Sequence, residues 1–179
     1  SLNNCNFPAL KKTFTFLIKE LKKFEQKRPL KFGHGDLCFN NILVDPIFGE
    51  INLIDPKADK NKKHNLYGLT DSFYDLSKLN HSIEGLYDSI VNNLFNLDIS
   101  DSNNINLEIY KPPEYEIFNA YFREIIIEKK ISKKTLGILT GNLFLSMLPL
   151  HLDNKKRIFV LGLMGGIFIN DFPIKKVFL

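Results

Sequence analysis

Residues 41–54 place the tightest constraint on how this chain can fold. Two short β-prone runs, Asn41-Ile-Leu-Val44 and Ile51-Asn-Leu-Ile54, flank Asp45-Pro-Ile-Phe-Gly-Glu50, which carries turn formers at both ends. That pattern predicts a hairpin, and a hairpin brings its two ends together. Its ends carry Asn41 and Asp55, an amide oxygen and a carboxylate, which are hard donors of the kind Mg²⁺ takes. Pro56 stiffens the exit. Just upstream, His34-Gly-Asp36 sets an Asp two residues after a His and five before Asn41. Phosphoryl transfer asks little covalent chemistry of a protein, only an acceptor aimed at the attacking hydroxyl and oxygen ligands that hold Mg²⁺ against nucleotide phosphates. His-x-Asp-x4-Asn followed by Asp55 supplies those parts.

The same residues carry a family resemblance. His34-Gly-Asp36, Asn41 and Ile54-Asp55-Pro-Lys57 resemble the catalytic and metal segments of the aminoglycoside phosphotransferase and choline kinase-like family of small-molecule kinases. Protein kinases differ in having Arg after the His and Phe-Gly after the metal Asp. Thr70-Asp-Ser-Phe-Tyr-Asp-Leu-Ser77 resembles the family's Gly-Asp-Pro-x-x-Asp-Leu-Ala helix opening, with Thr for Gly and Ser for Pro. More loosely, Lys78-Leu-Asn-His-Ser82 and Leu148-Pro-Leu-His-Leu152 are similar to bacterial members associated with surface-polysaccharide biosynthesis. The resemblance covers roughly residues 30 to 155. It implies an α+β, mainly helical fold: the C-terminal lobe of a protein-kinase-like architecture, with a short catalytic-loop hairpin.

On this basis Asp36 is the expected catalytic base or hydroxyl-orienting residue, against the alternative of an ordinary turn-capping Asp. Asn41 and Asp55 are the expected Mg²⁺ ligands, with ATP or GTP completing the sphere. His34 is expected to hold the loop by hydrogen bonds rather than move a proton. Asp75, one helical turn beyond Asp71, is expected to tie the catalytic-loop backbone from below. Lys57 can place its charge near the phosphates, and a solvated surface lysine is the equal alternative. His81 and His151 can line an acceptor pocket, although a lone His on a helix is more often a satisfied core or surface group. Gly35 replaces the Arg that receives an activation-loop phosphate in regulated kinases, which argues against that switch.

At 179 residues, one domain spanning 1–179 is expected. Cys5 and Cys38 offer no disulfide framework, so a cytoplasmic setting is expected. No secretory signal or membrane span is visible; the longest apolar run, 158 to 169, contains three glycines and falls short of the ~20 residues a bilayer needs. Net charge is +4 but uneven: residues 1–33 carry eight basic against two acidic residues, 34–100 five against ten, and 101–179 eleven against eight. The acidic middle coincides with the metal site. The basic N-terminal lysines alternate with apolar residues at helical spacing and are expected on a solvated face rather than on nucleic acid.

In chain order, Pro8 to Gln26 predicts an amphipathic helix with Leu10, Phe14, Leu17, Leu21 and Phe24 on a stripe that packs beneath the catalytic loop. Leu30-Lys-Phe32 is extended. Residues 58–64 are a polar loop. A helix capped by Asp71 or Ser72 runs to about Phe95, and a surface loop covers 96–106. Helices follow at about 113–130, 133–150 and 154–170, the last capped by Asp153. Gly162-Leu-Met-Gly-Gly166 lacks the Lys-Ser/Thr of a phosphate loop and is expected to serve close helix packing.

Neither a Gly-rich strand-turn-strand loop nor a strand Lys precedes His34. In the family those parts belong to an N-terminal lobe covering the nucleotide. The chain as given is therefore expected to bind nucleotide weakly and turn over poorly, with the N-terminal lobe of the same full-length protein and a small-molecule acceptor as its partners. The C-terminal helices, which build the family's acceptor side, are net basic. That favours a neutral or anionic acceptor such as a sugar or sugar derivative over a polycation. A non-catalytic kinase-like binding or scaffold module is the alternative. A two-metal phosphohydrolase lacks the paired ligand cluster it would need.

Overall fold

A helix that is apolar all round must be buried, and the two helices at the end of the chain set the core for that reason. The computed structural model describes residues 9–24, 30–57, 68–100 and 104–172. The helices of the second half are α4 (Tyr115–Glu128), α5 (Lys133–Met147) and α6 (Lys155–Ile169), and a 3₁₀ turn at Leu148–His151 joins the last two. α5 buries Leu136, Ile138, Leu139, Leu143, Phe144 and Leu145; α6 buries Val160, Leu161, Leu163, Met164 and Ile167. They lie close because glycines face each other. A Cβ on Gly141 would sit 2.7 Å from the Gly165 carbonyl oxygen, and one on Gly165 would sit 2.7 Å from Leu145 Cδ2. Ser132 caps α5 through Thr135 N–H. Asn154, rather than Asp153, caps α6 by accepting from Arg157 N–H at 3.1 Å; the Asp153 carboxylate instead pairs with the Arg157 guanidinium at 3.2 Å.

The first helix, α1 (Leu10–Phe24), also packs on this pair. Leu17 joins Ile138, Leu145 and Ile169, with Phe16, Leu21 and Phe24 beside them, and Asn170 Nδ2 donates to Thr13 Oγ1. Its stripe therefore does not run beneath the catalytic loop as expected. The helix is rotated so that Phe16 faces in and Phe14 is exposed, because the matching apolar groove belongs to α5 and α6. Lys11, Lys12, Lys19, Lys22 and Lys23 are all exposed, as a solvated face requires.

Between these helices the described residues form three two-stranded antiparallel sheets. β1 (Leu30–Phe32) pairs with β4 (Leu69–Asp71), and β2 (Ile42–Val44) with β3 (Ile51–Leu53). β5 (Phe95–Ile99) pairs with β6 (Ile105–Ile109) in the register Phe95↔Ile109, Leu97↔Leu107, Ile99↔Ile105. This last hairpin replaces the surface loop expected over 96–106. Alternate residues Leu107 and Ile109 are buried in the α5–α6 core, so the period-2 apolar pattern outweighs the polar residues around the turn.

The long helix expected to reach Phe95 is also broken. α2 (Ser72–Ile83) stops before Gly85, Leu86 takes φ 51°, and a short α3 (Tyr87–Val91) follows. A Cβ on Gly85 would lie 2.5 Å from the His81 carbonyl oxygen and 2.7 Å from Phe144, so the chain turns where only glycine fits. Asp71 does cap α2, accepting from Phe73 N–H at 2.9 Å. The fold is thus α+β and mainly helical. Among the described residues no helix is long and apolar enough to cross a membrane. The polar loop at 58–64 lies outside the described residues.

Candidate active site

The β2–β3 hairpin forms where its turn chemistry predicts. Asp45 Oδ1 accepts from Ile47 and Phe48 N–H at 2.7 and 3.0 Å, and Gly49 adopts φ 68°. At the open end, Ile54 N–H donates to the Asn41 carbonyl at 3.0 Å, so the backbones leading to Asn41 and Asp55 meet. Asp55 itself takes φ 53°, a left-handed conformation that Asp tolerates better than most residues, and its side chain is 66% exposed.

The loop carrying His34 and Asp36 is fastened from two sides. From below, the buried Asp75 carboxylate on α2 accepts from His34 N–H (2.7 Å, Oδ2) and Gly35 N–H (2.8 Å, Oδ1). Gly33 is obligatory here, since a Cβ would stand 2.2 Å from Thr70 Cγ2 and 2.6 Å from Asp75 Oδ2, and Gly35 takes φ 77°. From the side, the His34 ring meets the Ile54 carbonyl through Nε2 at 2.8 Å. A carbonyl only accepts, so Nε2 carries the proton. Lys57 N–H returns the tie by donating to the His34 carbonyl at 2.8 Å. His34 and Asp75 thus bind the loop to the hairpin exit and to α2, away from any exposed surface.

Asp36 sits where these fastenings converge. Its carbonyl accepts from Asn41 Nδ2 (2.8 Å), which leaves Asn41 Oδ1 as that side chain's available donor of electrons. Its carboxylate is held by two ammonium groups, Lys57 at 2.5 Å and Lys78 at 2.8 Å, and Lys57 also reaches Asp55 at 3.6 Å. Burial pushes the Asp36 carboxyl up, but the hydrogen bonds and charges of Lys57 and Lys78 outweigh it and hold the group below the usual carboxylate range. Burial likewise pulls Lys78 down, and its hydrogen bond to Asp36 together with the charges of Tyr74, Asp36 and Cys38 more than restores it. Asp36 is therefore ionised at neutral pH and suited to orient a hydroxyl as an acceptor.

The residues fit a hard divalent cation. A neutral amide oxygen and an exposed carboxylate stand at the hairpin mouth, and a lysine ammonium already bridges Asp36 and Asp55, showing a cation accommodated between them. Among the described residues no group of three or more His, Cys, Asp or Glu could hold a metal.

The two histidines expected at an acceptor pocket part company. His81 is buried in the core, its ring 4.2 Å from Tyr87 and 4.0 Å from Phe144, and burial followed by the charge of Lys78 brings its pKa down to about 3. It faces α5 rather than an open pocket. His151 is half-buried: its Nδ1 lies 3.4 Å from Arg157 Nη1 and its Nε2 lies 3.3 Å from the Tyr87 hydroxyl. Arg has no acceptor, so Nδ1 is the unprotonated nitrogen and Nε2 donates to Tyr87. The Tyr87 ring lies tilted by 30° against the His81 ring, so Tyr87 touches His81 on one side and His151 on the other.

Lys78 was not singled out from the sequence as a site residue. Its signal was its place three residues after Asp75, on the same helical face, in the most acidic part of the chain. A separate cavity of about 780 Å³ lies among Phe122, Ile126, Leu136 and Phe168, with Asn80 and Glu84 of the α2 region on its wall; none of Asp36, Asn41, Asp55, Lys57 or Lys78 borders it. Comparisons of this chain with protein-family models, with curated proteins and with solved structures give no match.

Proposed function

We propose that this chain is the C-terminal lobe of a Mg²⁺-dependent small-molecule kinase of the aminoglycoside phosphotransferase and choline kinase-like type, moving the terminal phosphate of ATP or GTP to a hydroxyl. The observation that carries it is the convergence of Asp36, Asn41 and Asp55 on the mouth of one hairpin, with Asp75 fixing the loop beneath them. Asp36 accepts the hydrogen bond of the acceptor hydroxyl and takes its proton as the new O–P bond forms; the bond from phosphorus to the β,γ-bridging oxygen breaks, and the nucleoside diphosphate leaves. Because two lysines keep Asp36 anionic, its work is chiefly orientation. Asn41 and Asp55 would hold the metal. When bound, Mg²⁺ neutralises charge on the transferring phosphoryl group. Lys57, at the same mouth, lies within reach of those phosphates.

The acceptor we favour is a sugar or sugar derivative, because residues 101–179 carry eleven basic against eight acidic residues, a balance that disfavours a polycationic acceptor. The β2–β3 hairpin also exposes Val44, Ile47, Phe48 and Ile51, apolar residues that support a covering N-terminal lobe as partner. Thermal-shift measurements with Mg-ATP and Mg-GTP test the proposal. Stabilisation that requires Mg²⁺ and vanishes in Asp55→Ala is the expected outcome. No response to either nucleotide favours the non-catalytic scaffold instead.

A further inference from the structure

Lys57 carries more information than a phosphate contact would. Its ammonium lies 2.5 Å from one Asp36 oxygen and 3.6 Å from an Asp55 oxygen, so it occupies the space between the loop carboxylate and the hairpin carboxylate. Lys78 takes the other Asp36 oxygen at 2.8 Å. The two carboxylates are thus matched by two ammonium groups. A divalent cation entering at Asp55 brings two further positive charges into the same few ångströms, and one lysine must then give way.

The two lysines differ in their freedom to do so. The Lys57 side chain is 58% exposed, whereas that of Lys78 is 13% exposed on α2. Withdrawing Lys78 would strand both its own charge and a buried carboxylate, while the Lys57 head can turn into water. The Lys57 backbone need not follow, because its N–H is held by the His34 carbonyl at 2.8 Å. We propose that the Lys57 ammonium holds the place of the divalent cation between Asp36 and Asp55 and swings out when metal binds, while Lys78 remains on Asp36. The proposal rests on the metal role assigned above to Asn41 and Asp55. It makes Lys57 a competitor of the metal: it relieves the repulsion between the two carboxylates while the site is empty, and it is released at the mouth of the site when the metal arrives.

The test is Mn²⁺ binding to the full chain, read by the loss of the free-ion electron paramagnetic resonance signal and needing no turnover. Lys57 is exposed, so its replacement leaves the fold intact. Lys57→Met is expected to tighten Mn²⁺ binding on the order of fivefold to tenfold, Lys57→Arg to stay within about twofold of the parent, and Asp55→Asn to abolish the site. If Mn²⁺ binding depends on Asp55 yet Lys57→Met leaves it unchanged or weaker, the place-holder role is overturned and the metal site stands. If neither the parent nor Lys57→Met shows Asp55-dependent binding, the place-holder role and the phosphotransferase proposal fall together.

Discussion

At the scale of single residues, Asp75 is the most consequential side chain that performs no chemistry. Both its oxygens are spent on backbone N–H groups of the loop, so removing it leaves one buried and one half-buried donor unsatisfied. Asp75→Ala should lower stability by about 2–6 kcal/mol, measured by urea denaturation, at roughly 1–3 kcal/mol for each orphaned donor. His81 gives a pH signature. Its folded pKa of about 3 lies below its ordinary value of 6.5, so between those values the unfolded chain takes up a proton that the folded chain refuses. Stability is fully present above about pH 6.5 and falls as the pH drops towards 3. His81→Leu should flatten the decline between pH 6.5 and 5, where ordinary carboxylates stay ionised; an unchanged slope would mean that other groups cause it. Asp36 adds a component of the usual carboxylate sign. Its folded pKa is depressed, so its contribution is present above the ordinary carboxylate value and is lost only as the pH falls through the folded one.

At the scale of elements, two glycines of the α5–α6 pair should respond to alanine with opposite signs. Gly141 is in the interface, where a Cβ would meet Ile169 Cγ1 at 2.6 Å and the Gly165 carbonyl at 2.7 Å. Overpacking there outweighs the helix-propensity gain, and Gly141→Ala should cost about 1–3 kcal/mol. Gly162, in the same kind of helix, has nothing within 4 Å of its Cβ position, so Gly162→Ala should stabilise by about 0.5–1 kcal/mol. Thermal unfolding of the two variants checks both signs. The same scale explains what could be read beforehand. The β2–β3 hairpin was legible because its register is local: Asp45 and Gly49 specify the turn, and the turn specifies which ends meet. The break at Gly85-Leu86 was signalled by a glycine at a helix end but was overridden by an apolar periodicity that continued through it. The β5–β6 hairpin was hidden because its turn is long and polar, although Phe95, Leu97, Leu107 and Ile109 alternate correctly. The seating of α1 was not legible at all. An amphipathic stripe shows that a face is buried, not which groove receives it.

At the scale of the whole molecule, the division of labour runs along the chain. The carboxyl-terminal helices and the β5–β6 hairpin hold most of the buried apolar side chains, while the segment from β1 to the start of α2 carries the polar site on their flank. α2 connects the two. Its Asn80 donates to Thr140 on α5, whereas Asp75 and Lys78 reach the loop. That dual role is tertiary, which is why Lys78 drew no notice as a linear neighbour of Asp75 while Asp36, Asn41 and Asp55 stood out by spacing. On the function proposed, a covering lobe would complete the nucleotide site, so nucleotide affinity of this chain alone should be modest but metal-dependent. Fluorescence titration with an N-methylanthraniloyl-labelled ATP, run with Mg²⁺ and with EDTA, measures this directly. Phosphotransferase chemistry at the hairpin mouth predicts saturable binding that needs Mg²⁺ and is lost in both Asp55→Ala and Asn41→Ala. Binding indifferent to Mg²⁺ and to both substitutions, or no binding at all, would contradict it.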